Sequence, residues 1–213
     1  MIRTAGSPPQ HVADQLDRIV EELSDTFHGV FAPETVRRFV DETFELLDSH
    51  ATIKTHLVTL TARFAKQRLT DYGHAQGLAH VTVPQVLFVC VHNVGRSQMA
   101  AALLEYHAFG KVSVRSAGSR PQGQIPAAVT DALRELGIGL TEAYPKPLTD
   151  EVVHAADVVV TMGCGDACPV YPGKRYLDWQ VDDPAEAPIE VVRRIRDDID
   201  HRVRGLLSEL VDD

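Results

Sequence analysis

Cys90 and Arg96 close the two ends of the run CVHNVGR, inside the longer stretch VLFVCVHNVGRSQMAAALLEY (86–106). A cysteine thiolate is a strong nucleophile, and a guanidinium is a planar fork that grips two oxygens of one oxyanion, which a lysine ammonium does not match in geometry. The residues between them, Val91, His92, Asn93, Val94 and Gly95, must turn the chain from an apolar run into the start of a helix. In such a turn successive backbone N–H groups point at one spot and form a cradle for a tetrahedral oxyanion. The same donors, with the helix dipole, favour a thiolate at Cys90. Ser97 follows at once and offers its hydroxyl to the sulfur, while the Asn93 amide can hold the loop backbone. The chemistry expected of Cys90 to Ser97 is therefore nucleophilic attack on a bound oxyanion. A cysteine and an arginine at this spacing are weak evidence alone, and the competing reading is a buried cysteine that ends a strand. The junction and the trailing serine favour the site. His92 is expected only as part of the loop.

The chain has two further cysteines, Cys164 and Cys168, in TMGCGDACPVYP (161–172). Residues four apart in a helix are separated by about 6 Å along its axis, which suits the Cα atoms of a disulfide but leaves the β-carbons too far apart. A bond between them requires the segment to deform, and Gly163, Gly165 and Pro169 suit a segment that rearranges. A zinc site would need more ligands at suitable spacing, and neither a histidine pair nor a second cysteine pair supplies them.

These residues need elements to hold them. From 86 on, apolar runs alternate with helical periods: strands are expected at 86–90, 112–117, 156–162 and 175–179, and helices at 97–107, 127–136, just after Thr149, and at 190–210. Continuous apolar strands separated by helices imply a parallel sheet covered on both faces, with ligands at the carboxyl ends of its strands. Cys90 falls at such an end. Before residue 80 three amphipathic segments carry Leu16, Ile19, Val20, Leu23 and Phe27, then Val36, Phe39, Val40, Phe44 and Leu47, then Ile53, Leu57, Leu60 and Phe64. They predict a small three-helix bundle, with Pro33 in a first turn and a break at DSHAT (48–52). The stretch 72–84 reads as a linker, giving domains at 1–80 and 81–213.

Composition narrows the classes. The 213 residues suffice for one large or two small domains, and 21 Lys and Arg against 30 Asp and Glu leave a net charge of −9. No general basic field exists for nucleic acid or anionic lipid. Residues 1–80 alone hold 8 basic against 11 acidic side chains, which disfavours DNA binding. No apolar run has membrane-spanning length and MIRTAGSPPQ lacks a signal-peptide core, so a cytoplasmic protein is expected. Three cysteines, an odd number in a reducing compartment, point to chemistry rather than to structural bridges.

CVHNVGRS resembles the active-site loop of the low-molecular-weight tyrosine phosphatase superfamily. VRSAG (114–118), VVVTMGCGDACP (158–169) and DWQVDDPA (178–185) resemble elements of its arsenate reductase branch, in the family's order, and the helical segment resembles an extension found on some actinobacterial members. The resemblance implies a four-stranded parallel α/β fold and an acid, Asp183 before Pro184, that protonates the departing oxygen; Asp178 and Asp182 read as solvated. It further implies a relay: Cys90 attacks arsenate, Cys164 attacks the Cys90 sulfur and expels arsenite, and Cys168 attacks Cys164 to leave a 164–168 disulfide that thioredoxin reduces. Ala101 and Pro147 stand where certain members have acidic potassium ligands, so neither a potassium site nor any other metal or cofactor is expected. Three alternatives stay open: a mycothiol-dependent enzyme that uses Cys90 alone, a tyrosine phosphatase, and a non-catalytic anion sensor. Against the phosphatase, AEAP (185–188) lacks the aromatic residues that usually follow the acid there. For the helical segment, homodimerisation is expected.

Overall fold

The computed structural model describes residues 8–50, 56–78, 82–140, 143–163 and 168–211. The chain divides into two units, Met1–His80 and Val81–Asp213.

The first unit holds α1 (Gln10–Thr26), α2 (Pro33–His50) and α3 (Leu57–Ala75). Pro33 begins α2, where its missing N–H removes no helical hydrogen bond. Leu16, Ile19, Val20 and Leu23 of α1 pack with Val36, Phe39 and Val40 of α2 and Ala65 and Leu69 of α3. Two expectations change. The helix α2 runs through Asp48 and Ser49 to His50, and α3 continues through Tyr72 to Ala75, so the break and the linker both begin later than their polar residues suggested. The buried face of α3 also includes Thr61, Arg68 and Asp71, whereas Leu60 is only partly buried. The Arg68 guanidinium explains part of this: it donates to Thr43 Oγ1 at 2.9 Å and lies 5.0 Å from the Phe39 ring centre. Ile53 lies outside the described residues.

The second unit is a four-stranded, all-parallel sheet in the order β2-β1-β3-β4, with β1 (Gln85–Cys90), β2 (Ser113–Gly118), β3 (Val158–Thr161) and β4 (Arg175–Asp178). The helices are α4 (Arg96–Ala108), α5 (Ala127–Arg134), α6 (Asp150–Ala155) and α7 (Ile189–Val211). Every residue of β1 is buried, and its side chains alternate between two cores. Val86, Phe88 and Cys90 join Met99, Leu103 and Leu104 of α4 and Val192, Ile199 and Val203 of α7. Leu87 and Val89 face the other way, toward Val152 and Val153 of α6. Such two-sided burial is what a continuous apolar strand in a parallel sheet requires. The register sets Cys90 opposite Gly118 and Val89 opposite Thr161, which in turn faces Asp178, so the loops that carry chemistry leave one end of the sheet.

Candidate active site

Cys90 is the last residue of β1, and six residues later α4 begins with Arg96. The loop between them folds around Asn93, which is fully buried and takes a left-handed backbone (φ 54°). Asparagine tolerates this conformation because its short amide bonds locally. Here Asn93 Oδ1 accepts from the backbone N–H of Lys146 at 2.8 Å, which fixes the amide's orientation. Its Nδ2 then donates to Ser97 Oγ at 2.8 Å, leaving the serine hydroxyl proton for the Cys90 sulfur at 2.9 Å. The Asn93 backbone N–H reaches the same sulfur at 3.3 Å. The sulfur so placed faces two donors, the Ser97 hydroxyl and the Asn93 N–H.

The loop fits between neighbours that leave no room for side chains. A β-carbon at Gly118 would lie 2.9 Å from the Val91 carbonyl, and one at Gly95 would lie 2.6 Å from Pro184 Cγ. Contact at Gly95 seats the buried Pro184, and with it Asp183, on the cysteine loop. Arg96 Nη2 donates to Asp183 Oδ2 at 2.7 Å, a pair 87 residues apart in sequence, while Asp183 Oδ1 accepts from the backbone of Ala185 at 3.0 Å. The arginine side chain is 12% exposed and the aspartate 49%. A β-carbon at Gly163 (φ 72°) would lie 2.7 Å from Arg96 Nη1. The guanidinium therefore sits between the Asp183 loop and the start of the segment that carries Cys164.

The sequence-predicted residues are thus placed as follows. Cys90, Asn93 and Ser97 form one hydrogen-bonded cluster, Val91, His92, Val94 and Gly95 complete the loop, and Asp183 joins Arg96 from the loop that follows β4. Cys164 lies outside the described residues. Cys168 is 8% exposed and sits in the α6-side core with Leu87, Val89 and Val153, on the opposite face of β1 from Cys90. Among the described residues no cluster of His, Cys, Asp or Glu could hold a metal ion, and no helix is long and apolar enough to cross a membrane.

The family model for low molecular weight phosphotyrosine protein phosphatases matches residues 85–213. This chain belongs to that family. A second family model, for the N-terminal domain of protein-tyrosine-phosphatase-like proteins, matches residues 16–72. This phosphatase-family chain is 47% identical to the thioredoxin-dependent arsenate reductase of Corynebacterium glutamicum, with a TM-score of 0.83 and coverage of 92% of this chain and 96% of that one. It is 36% identical to an arsenate reductase of Halalkalibacterium halodurans over 129 residues, 56% of this chain and 91% of the relative. A solved arsenate reductase in its phosphate-binding state is 28% identical with a TM-score of 0.54, covering 60% of this chain and 99% of that one.

One residue of the site was not singled out from sequence. Gln98, buried on α4, directs its Nε2 to Asn93 O and Asn93 Oδ1, both at 3.1 Å, and to Tyr144 O at 2.9 Å. It braces the left-handed turn against the loop after α5. Asp178 is exposed as expected, yet its carboxylate is not simply solvated: Thr161 Oγ1 donates to it at 2.7 Å and Gln180 bonds its other oxygen. The spacing of a glutamine one residue past the serine carried no signal of its own.

Proposed function

We propose that this protein reduces arsenate to arsenite with Cys90 as nucleophile and a thiol relay through Cys164 and Cys168, reset by thioredoxin. The observation that carries the reading is the sulfur of Cys90 held by Ser97 and Asn93 beside an Arg96 that is already paired with Asp183. An incoming oxyanion competes with the Asp183 carboxylate for the guanidinium. Its arrival frees the aspartate at the moment an acid is needed.

The Cys90 thiolate attacks arsenic, the arsenic–oxygen bond to the leaving hydroxyl breaks, and a proton from Asp183 releases it as water. The Cys164 thiolate then attacks the Cys90 sulfur. The sulfur–arsenic electron pair stays with arsenic, which leaves as arsenite, and a Cys90–Cys164 disulfide forms. Attack by Cys168 on Cys164 expels the Cys90 thiolate and leaves a Cys164–Cys168 disulfide, which the dithiol of thioredoxin reduces. Such a relay operates in a reducing compartment, in keeping with a cytoplasmic protein. The relatives' names support substrate and reductant. For the helical unit we assign homodimerisation, because small amphipathic bundles tend to keep an apolar face for a partner.

The test compares single turnovers of Cys90→Ser, Cys164→Ser and Cys168→Ser after alkylation and mass spectrometry. Cys90→Ser should not turn over. Cys164→Ser should hold one equivalent of arsenic, and Cys168→Ser should release arsenite once and stop as a Cys90–Cys164 disulfide. Normal turnover of both relay variants with mycothiol and its redoxin would replace the relay by the small-thiol reading. A sedimentation measurement that finds a monomer at all concentrations rules out the dimer.

A further inference from the structure

Two phenols hold the backbone that follows the third cysteine. Tyr176 on β4 accepts from the backbone N–H of Tyr171 at 2.9 Å and donates to the carbonyl of Pro169 at 3.2 Å. The Tyr171 hydroxyl donates to Asp150 Oδ1 at 3.0 Å, at the first residue of α6, and its ring lies 3.7 Å from that of His154 on the same helix. The clasped residues come directly after Cys168. That thiol is buried among Leu87, Val89, Val153 and Val159, with Tyr171 and Tyr176 packed against the same cluster.

A thiol in this seat cannot attack a disulfide until it leaves, and leaving moves the Pro169 and Tyr171 backbone. We propose that Tyr176, supported by Tyr171, is a positioning latch that sets how fast Cys168 is released to resolve the Cys90–Cys164 disulfide. The inference rests on the relay proposed above. In the gated step the Cys168 thiolate, its proton lost to solvent, bonds to the Cys164 sulfur; the Cys90–Cys164 bond breaks and Cys90 departs as thiolate. Reduction of the Cys164–Cys168 bond lets Cys168 return and the clasp close. One phenol oxygen serves as both donor and acceptor to the segment. Its removal therefore opens both bonds while the ring stays in the cluster.

The experiment uses the full-length reduced protein. Limiting iodoacetamide followed by peptide mass spectrometry gives the alkylation rate of Cys168 relative to Cys90. Tyr176→Phe should raise that ratio roughly ten-fold, the size expected when two ordinary hydrogen bonds cease to oppose opening. In acid-quenched single turnovers with arsenate, conversion of the Cys90–Cys164 disulfide to Cys164–Cys168 should quicken by a similar factor. Val203→Ala, which opens a cavity in the core on the other face of the sheet, controls for general loss of stability. It should leave the ratio unchanged. An unaltered ratio or resolution rate in Tyr176→Phe, or an equal rise in Val203→Ala, overturns the latch. The relay itself fails by a different result, Cys168→Ser turning over at the wild-type rate with thioredoxin, and the latch then has no step to gate.

Discussion

Arg96 is engaged by the Asp183 carboxylate at 2.7 Å. Its fork geometry, more than its charge, is what the proposed substrate exchange uses. Arg96→Lys keeps the charge and loses the fork, so arsenate KM should rise at least ten-fold while the protein melts as the wild type does, read from steady-state kinetics and a thermal scan. Gln98 works one step further back. Replacing it by Leu keeps the bulk but removes the Gln98 donor from the carbonyls of Asn93 and Tyr144. The expected cost is about 2 kcal/mol in urea denaturation, together with a lower kcat as the Asn93 turn loosens. Cys90, Arg96, Ser97 and Asn93 were legible because a strand-to-helix junction limits what a short loop can do. Gln98 was not, since the acceptor that gives it meaning, Tyr144 O, lies 46 residues away, and on sequence alone it is an ordinary helical side chain.

Among elements, α7 covers the α4 face of the sheet and is fastened to the end of α5 by charge. Glu135 lies between Arg193 and Arg196, at 2.6 and 3.0 Å. The hydrogen bond from Arg193 draws its pKa down from 4.5 to about 2, burial opposes this, and Arg196 adds to the lowering. A carboxyl depressed in the folded state contributes stability that is present above its unfolded pKa and is lost as pH falls through the folded one. Glu135→Gln should therefore melt below the wild type at pH 7, and the gap should close as the pH is taken from about 4.5 to about 2. A gap that is constant across that range would mean the charge is immaterial. Strand and helix positions in this unit were readable from apolar period, within a residue or two for most elements. The buried face of α3 was not, because Thr61, Arg68 and Asp71 break an apolar pattern, Arg68 being held by Thr43 of α2 and Thr61 by the Leu57 carbonyl one turn earlier.

For the whole molecule, the H. halodurans relative aligns with this chain over 129 residues, 91% of its own length, while a separate family model accounts for residues 16–72. The three-helix unit has its own core and the sheet unit has two. A protein cut to residues 81–213 should accordingly stay folded and reduce arsenate, and, on the proposed role of the helical unit, it should sediment as a monomer and the full chain as a dimer. An insoluble product would place part of the sheet unit's core upstream of residue 81. The family resemblance was readable from four motifs, whereas the partner of the helical unit was not. Amphipathic helices announce that a face is covered without saying by what.

Strand β1 separates Cys90 from Cys168, one thiol in the core beneath α4 and the other in the core beneath α6. This partition gives the proposed chemistry a direction in time. A stray oxidant that reaches Cys90 meets no Cys168 thiol ready to close a bond across the strand. In the proposed relay Cys164 links the two sides, and a protein lacking it should show no Cys90–Cys168 disulfide under peroxide, however long the exposure.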